Sequence, residues 1–232
     1  MKIAIMQPYF LPYIGYFQLM REIDTIVLTD DYEYSKGGWI NRNRVMNQNE
    51  VRFLTIPLQA SSDFAKIKEK KITREFSAQK SLNLITEGYR KRPFFVEVMP
   101  LVETIFRCSE RNLFEFLFHS LNEVADALEI KTNIRLTSQF DLDPSLSGQE
   151  KIIEICRELG SNQYVNLPGG KEIYDKSVFR SLGIDLQFLK IHDFVYDQGV
   201  NIFTPQLSIL DVLFNLGISR TSEDFLNQYS IE

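Results

Sequence analysis

Residues 3–31 read IAIMQPYFLPYIGYFQLMREIDTIVLTDD, and the order of patterns in this stretch decides the fold. Ile3 to Met6 is an unbroken apolar run without polar alternation, which suits a strand covered on both faces. Gln7 to Gly15 then punctuates the chain with two prolines and a glycine. Tyr16 to Arg21 reads as a short helix, and Asp24 to Thr29 as a second, β-branched strand ending at Asp30-Asp31. Strand, loop, helix and strand in that order make a βαβ unit. It predicts a parallel sheet with a right-handed crossover.

Working outward, Tyr32 to Val45 is polar and carries the flexible pair Gly37-Gly38. Phe53 to Leu58 reads as a third strand, and 60–75 as a basic loop leading to an edge strand, with Lys66, Lys68, Lys70 and Lys71 as a solvated edge. Two helices are expected over 76–130. The second is long, because Leu113, Phe116, Leu117, Leu121, Val124 and Leu128 recur at helical spacing. Asn133 to Thr137 is another strand. Ser147 with Glu150 predicts a capping box opening a helix that Gly160 stops, and Gln163 to Leu167 is the next strand. A short helix near 175–182, a last strand over Leu186 to Ile191 and a helix start at Ser208 complete the pattern. The expected fold class is α/β. We expect one domain over 1–232, a Rossmann-like, mostly parallel sheet with helices on both faces and a mainly helical insert at about 76–130.

Composition narrows the function classes. At 232 residues with 44% hydrophobic and 25% charged, the chain can bury a full core. A net charge of −5 disfavours a dedicated nucleic-acid binder, which needs a basic footprint to neutralise phosphates. The N-terminal apolar run is too short for a signal peptide, and no stretch approaches the ~18 apolar residues of a membrane span. A cytoplasmic location is therefore expected. Cys108 and Cys156 fall on separate predicted helices without metal-ligand spacing, so two buried thiols are expected and no metal site.

In an open parallel sheet ligands sit beyond the carboxyl ends of the strands, at a topological switch point. Three polar clusters should gather there: Gln7 to Gly15, Asp30 to Arg44, and Ser138-Gln139. The first is either a proline-stiffened turn packed on the sheet or a tight loop in which Gly15, at a helix start, presents backbone N–H groups to a phosphate, without G-x-G-x-x-G or Walker A spacing. The second holds Asp30 and Asp31, which could engage a nucleophile, and Lys36, which with Arg42 and Arg44 suits anionic groups. Trp39, Asn41 and Asn43 lie in the same segment, where an exposed tryptophan either covers a ligand or packs inward. His119 reads as a helical surface residue. His192, directly after a strand, could stand at the rim of a site.

These residues carry a resemblance. IAIMQPYFLPYIGYFQL, the strand ending in Asp30-Asp31, KGGWINRNR, FLTIPL, YVNLPGGKEIYD, Tyr196-Asp197-Gln198 and LSILDVLF together resemble the WbqC-like family, from about residue 3 to about 217. That resemblance implies a part in bacterial surface-polysaccharide (O-antigen) biosynthesis, with glycine or aminoacyl transfer onto a sugar. More distantly, Tyr13-Ile14-Gly15-Tyr16 is similar to the H-I-G-H arrangement of the nucleotidylyltransferase and pantothenate-synthetase superfamily, with tyrosines in place of both histidines. The expected function is an enzyme, a transferase or ligase attaching a small acyl or aminoacyl group to an amino sugar or sugar nucleotide. A nucleotide or activated acyl donor would serve as cosubstrate. A nucleotidylyl- or glycosyltransferase and a non-catalytic assembly protein are the alternatives. Catalytic roles are expected of Asp30, Asp31 and Lys36. Substrate or nucleotide binding is expected of Gln7, Tyr13, Gly15, Tyr16, Trp39, Asn41, Arg42, Asn43, Arg44 and Ser138.

Overall fold

A computed structural model describes residues 1–232. Its centre is a six-stranded sheet in the order β5-β2-β1-β6-β7-β8, and beside it stands a two-stranded hairpin, β3-β4. The strands are β1 (Lys2–Met6), β2 (Thr25–Leu28), β3 (Arg42–Asn47), β4 (Glu50–Thr55), β5 (Asn133–Leu136), β6 (Gln163–Asn166), β7 (Asp185–Ile191) and β8 (Tyr229–Ile231). The helices are α1 (Ile14–Glu22), α2 (Ala78–Tyr89), α3 (Phe95–Phe106), α4 (Leu113–Ala127), α5 (Gly148–Glu158), α6 (Lys176–Ser181), α7 (Ile209–Leu216) and the single turn α8 (Ile218–Arg220). β1 pairs in parallel with β2 on one side and β6 on the other, so the expected βαβ unit lies at the middle of the sheet.

The chain leaves β1 in one direction through β2 to β5 and returns on the other side as β6 and β7. That reversal, between β1 and β6, is the topological switch point. Alternation of side chains across the strands feeds two cores. Ala4, Ile26, Leu28, Val165 and Leu189 face the larger one with α1, α2, α3, α4 and α7. Ile3, Ile5, Val27, Tyr164, Leu186 and Phe188 face the smaller one with α5 and α6. Cover on both faces explains the unbroken apolar run of β1. No helix is long and apolar enough to cross a membrane.

Several local expectations are corrected. The third strand is a hairpin: β3 precedes β4, and β4 begins at Glu50 and ends at Thr55 rather than running from Phe53 to Leu58. Its turn, Gln48-Asn49, has φ of +48° and +64°, the left-handed pair of a two-residue hairpin loop. The segment 76–130 holds three helices, because Arg90 to Phe94 breaks the first stretch before α3. Ser147 stands at the N-cap of α5, but its hydroxyl caps nothing. Cys108 falls just past α3 and is half-buried, whereas Cys156 is fully buried. Burial pushes the Cys156 thiol up to about 12. The last strand is β8, an antiparallel edge on β7. The basic tract is not uniformly solvated. Lys70 is buried and donates to Ser61 Oγ at 2.7 Å, and Lys68 reaches Asp30 at 3.6 Å.

Candidate functional site

A cavity of about 550 Å³ opens over the carboxyl ends of β1 and β6, at the switch point. Met6 and Gln7 from the end of β1, Thr29 after β2, and Asn166 and Leu167 from the end of β6 form its floor. Tyr9, Pro12 and Tyr13 rise on one side, and Gly169, Gly170, Ile173 and Tyr174 on another. Trp39, from the loop before the hairpin, and Asn43 and Arg44, from β3, close the top, joined by Gln206. Both the volume and the position are those of a small-molecule site in a doubly wound sheet.

The hairpin and the proline loop hold one another. Asn43 is buried, and its amide donates to the carbonyls of Phe10 at 3.0 Å and Leu11 at 2.9 Å. Its Oδ1 accepts from the Arg44 N–H at 2.8 Å, and the Phe10 N–H donates to the Trp39 carbonyl at 3.0 Å. The Leu11 carbonyl also accepts from the Ser208 hydroxyl at 2.8 Å. Leu11 has φ of +43°. That left-handed conformation costs a non-glycine residue ~1–2 kcal/mol, here offset by three clamping bonds. Asn43 thus shapes the site by fixing the loop that carries Tyr9 and Tyr13.

Arg44 is the charged side chain among the lining residues. One guanidinium nitrogen donates to the carbonyls of Pro205 at 3.3 Å and Gln206 at 3.0 Å. Its Nε is buried with no protein partner, and the group lies 5.5 Å from the Trp39 ring centroid. Trp39, 41% exposed, stacks on Phe53 at 6.5 Å, so it lies in the wall with one edge in solvent. Burial, assisted by Tyr9, pushes the Tyr13 phenol up to about 12. Burial, with smaller contributions from Asp31 and Tyr174, likewise pushes the Tyr32 phenol up to about 12. Both phenols are therefore protonated hydrogen-bond donors at neutral pH.

Other expected site residues stand outside the cavity wall. Asp30, 3% exposed, accepts from the Thr137 hydroxyl and the Ser138 N–H at 3.0 Å each, stapling the end of β2 to the turn after β5. Burial pushes the Asp30 carboxyl up, but the Ser138 and Thr137 donors and Lys68 outweigh it and leave it below the usual value. Asp31 takes a bond from Thr137 and lies 3.7 Å from Lys151, whose ammonium sits over the Tyr32 ring. Lys36 is exposed and paired with Asp63. Asn41 bridges the Tyr34 hydroxyl and the Ile56 carbonyl, and Arg42 donates to the Gly37 and Gly38 carbonyls while lying over Phe53. Tyr16 is buried and donates to the Gln7 carbonyl at 3.0 Å. Gly15 is a packing glycine in α1, since a Cβ there would collide with Ile191 and the Tyr13 ring. Of the expected set, Gln7, Tyr13, Trp39, Asn43 and Arg44 are brought together.

The sequence profile of the WbqC-like protein family matches residues 7–223. The chain belongs to that family. A protein of Mycobacterium tuberculosis (strain ATCC 25618 / H37Rv) described as "Uncharacterized protein Rv1507c" is 29% identical over 219 residues, covering 93% of this chain and 94% of its own. No solved structure matches the chain.

Sequence reasoning missed several lining groups of this WbqC-like protein, chiefly Tyr9, Thr29, Tyr32, Asn166, Tyr174 and Gln206. Asn166, 8% exposed, accepts at its Oδ1 from the Leu167 N–H at 2.8 Å, while its Nδ2 presses against Gly170, where no Cβ would fit. Thr29 is 3% exposed, and its hydroxyl has no protein partner. A signal for both was present. Each is a polar residue at the carboxyl end of an apolar strand, the rule that singled out Gln7. Tyr174 and Gln206 carry no such signal, because loops far along the chain bring them in.

Proposed function

We propose that this WbqC-like protein is a group-transfer enzyme that binds an activated, anion-bearing donor in the cavity over β1 and β6. It passes a small acyl or aminoacyl group, glycine in the simplest case, to the amine of a sugar. The observation that carries this reading is the composition of the wall. Arg44 stands among the tyrosines, Trp39 and side-chain amides at the switch point of the sheet. Aromatic faces and amides suit a nucleoside or sugar ring, and a guanidinium suits one phosphate or carboxylate. The setting in bacterial surface-polysaccharide biosynthesis is carried over from the family resemblance.

A sugar ammonium first gives up one proton to solvent, and the neutral amine that remains is the nucleophile, so no dedicated general base is required. The neutral amine nitrogen uses its own lone pair to bond to the acyl carbon. The bond from that carbon to the leaving oxygen breaks, the electron pair departs with the oxygen, and the ammonium proton is released to solvent. Negative charge grows on the leaving group, where Arg44 would meet it, and on the carbonyl oxygen, where the protonated Tyr13 phenol would donate. The lone tryptophan of the chain is in the cavity wall, so its fluorescence reports directly on occupancy. Titration with UMP, AMP and UDP-N-acetylglucosamine should give a saturable change for at least one of them, lost in Arg44→Ala. A flat response from wild-type protein across that panel sinks the reading. Robust exchange of labelled pyrophosphate into ATP with glycine would instead make the enzyme a ligase.

A further inference from the structure

A second cavity, of about 270 Å³, adjoins the first at the carboxyl end of β7. The two share Tyr13 and Gln206 as a common wall. We propose that this cavity is a separate subsite for an amine-bearing sugar ring, with Tyr13 and Gln206 as the partition between it and the anion-binding cavity. Transfer between the two rests on the function proposed above; the binding of the amine does not.

Size and chemistry both favour that occupant. At about half the volume of its neighbour, the cavity falls just below the range for drug-sized ligands and suits one ring. The rings of Tyr13, Phe194, Tyr196 and Phe203 line it, and aromatic faces attract both sugar C–H groups and organic cations. Its ionisable lining groups besides the tyrosines are Lys190, His192 and Asp193, all exposed. Lys190 is engaged by Glu232 at 3.2 Å. The Asp193 carboxylate makes no ion pair, so it is the group left to meet an ammonium among those faces. The first cavity carries Arg44 and no carboxylate, the opposite preference.

The partition is built, not incidental. Gly15 has no side chain, which lets the Tyr13 ring and Ile191 close over the first turn of α1. Gln206 is held in a left-handed conformation, φ +56°, with its carbonyl fixed by Arg44. The guanidinium of the anion site therefore also braces the wall behind which the amine would sit. Tyr13, shared by both cavities, is the side chain across which the two substrates would meet.

The test uses the whole chain and two probes, methyl glucosaminide and its N-acetylated counterpart, observed by saturation-transfer NMR. The amine should bind at least five-fold more tightly than the neutral amide. Asp193→Asn should erase that difference without changing the melting temperature, since Asp193 is exposed and unpaired. Phe203→Ala should weaken both probes. None of these should alter the Trp39 response to nucleotides, and the amine should not displace a nucleotide that produces it. Absence of amine binding, equal amine binding in Asp193→Asn, or direct competition with the nucleotide would each overturn the subsite. Failure of the nucleotide titration with amine binding intact would remove the proposed donor reading and leave the subsite standing.

Discussion

Two polar regions of this protein use the same kinds of side chain and reach opposite states. Around Asp211, at the first turn of α7, every group is paired. The Tyr89 hydroxyl donates to the carboxylate at 3.0 Å and accepts from the Met46 N–H at 2.8 Å. Tyr196 and Gln198 donate at 2.7 and 2.9 Å, and the Gln198 Oε1 accepts from the Thr204 N–H. In the cavity over β1 and β6, tyrosines, amides and an arginine also converge, yet the Thr29 hydroxyl and the Arg44 Nε have no protein partner. Buried polar groups without partners are costly, so a fold keeps them where something else completes them. The paired knot ties α2, β3, α7 and the 196–204 loop together. The unpaired pair, Thr29 and Arg44, lines the cavity in which the proposed ligand would complete them.

The sharpest way to break that contrast is Asp211→Ala. It strips the acceptor from two phenols and an amide in a fully buried site, and we expect a loss of at least about 3 kcal/mol in denaturant unfolding. A loss below about 1 kcal/mol would mean that the knot is not a structural anchor. Asp30 ranks next. Asp30→Asn removes charge-assisted bonds from Thr137, Ser138 and Lys68 and should cost about 2 kcal/mol at neutral pH.

The two carboxylates also predict opposite pH limbs. Asp30 is held below the usual value, so its stabilisation is present above its unfolded pKa and is lost as pH falls through its folded one. Burial raises Asp211 despite the bonds from Tyr196, Tyr89 and Gln198. The folded state therefore holds that proton more tightly, and this contribution declines as pH rises from the ordinary carboxylate value through the folded pKa. Stability measured against pH should show a shallower acid limb in Asp30→Asn, with Asp63, Asp143, Asp175 and Glu232 still depressed, and an unchanged one in Asp211→Asn. The same slope in both variants would contradict the assignment.

The sheet was far more legible in the sequence than the site. β1 and β2 announce themselves as apolar runs because both faces of the parallel sheet are covered there, whereas β5 (NIRL), at the sheet edge, and β7 (DLQFLKI) show as apolar residues alternating with polar ones. β3 did not, since RNRVMN uses Asn43 and Asn47 as buried clamps on the backbone of other segments, and a strand read by hydrophobicity passes over them. The same spacing rule that found Gln7 explains why Asn166 and Thr29 could have been found. The roles read for Gly15 and Tyr16 turned on distance. A glycine that admits Ile191 and a glycine that admits a phosphate look alike until the partner, 176 residues away in the chain, is in place.

Arg44→Ala tests the cavity more than the fold. The side chain reaches two loop carbonyls from a half-exposed position, so its removal should cost about 1 kcal/mol of stability or less. Its effect on an anionic ligand should be larger, a ten-fold or greater rise in dissociation constant read from Trp39 fluorescence, or about 1.4 kcal/mol. Ligand binding that survives intact alongside a large loss of stability would turn Arg44 into another member of the paired set.

Thr29→Val is the smallest perturbation and the most discriminating one. Valine keeps the β-branched shape that suits the end of β2 and replaces a hydroxyl for which the protein supplies no partner. Removing a buried hydroxyl that makes no hydrogen bond is neutral or stabilising by up to about 1 kcal/mol, whereas removing a paired one costs about that much. The free protein should therefore be as stable as wild type or slightly more so. If the hydroxyl is held ready for a ligand, the same change should weaken that ligand several-fold while the Trp39 signal at saturation stays the same. A destabilised Thr29→Val would show that water or a moving neighbour already satisfies the group. The contrast between the paired knot and the unpaired cavity would then lose its cleanest example.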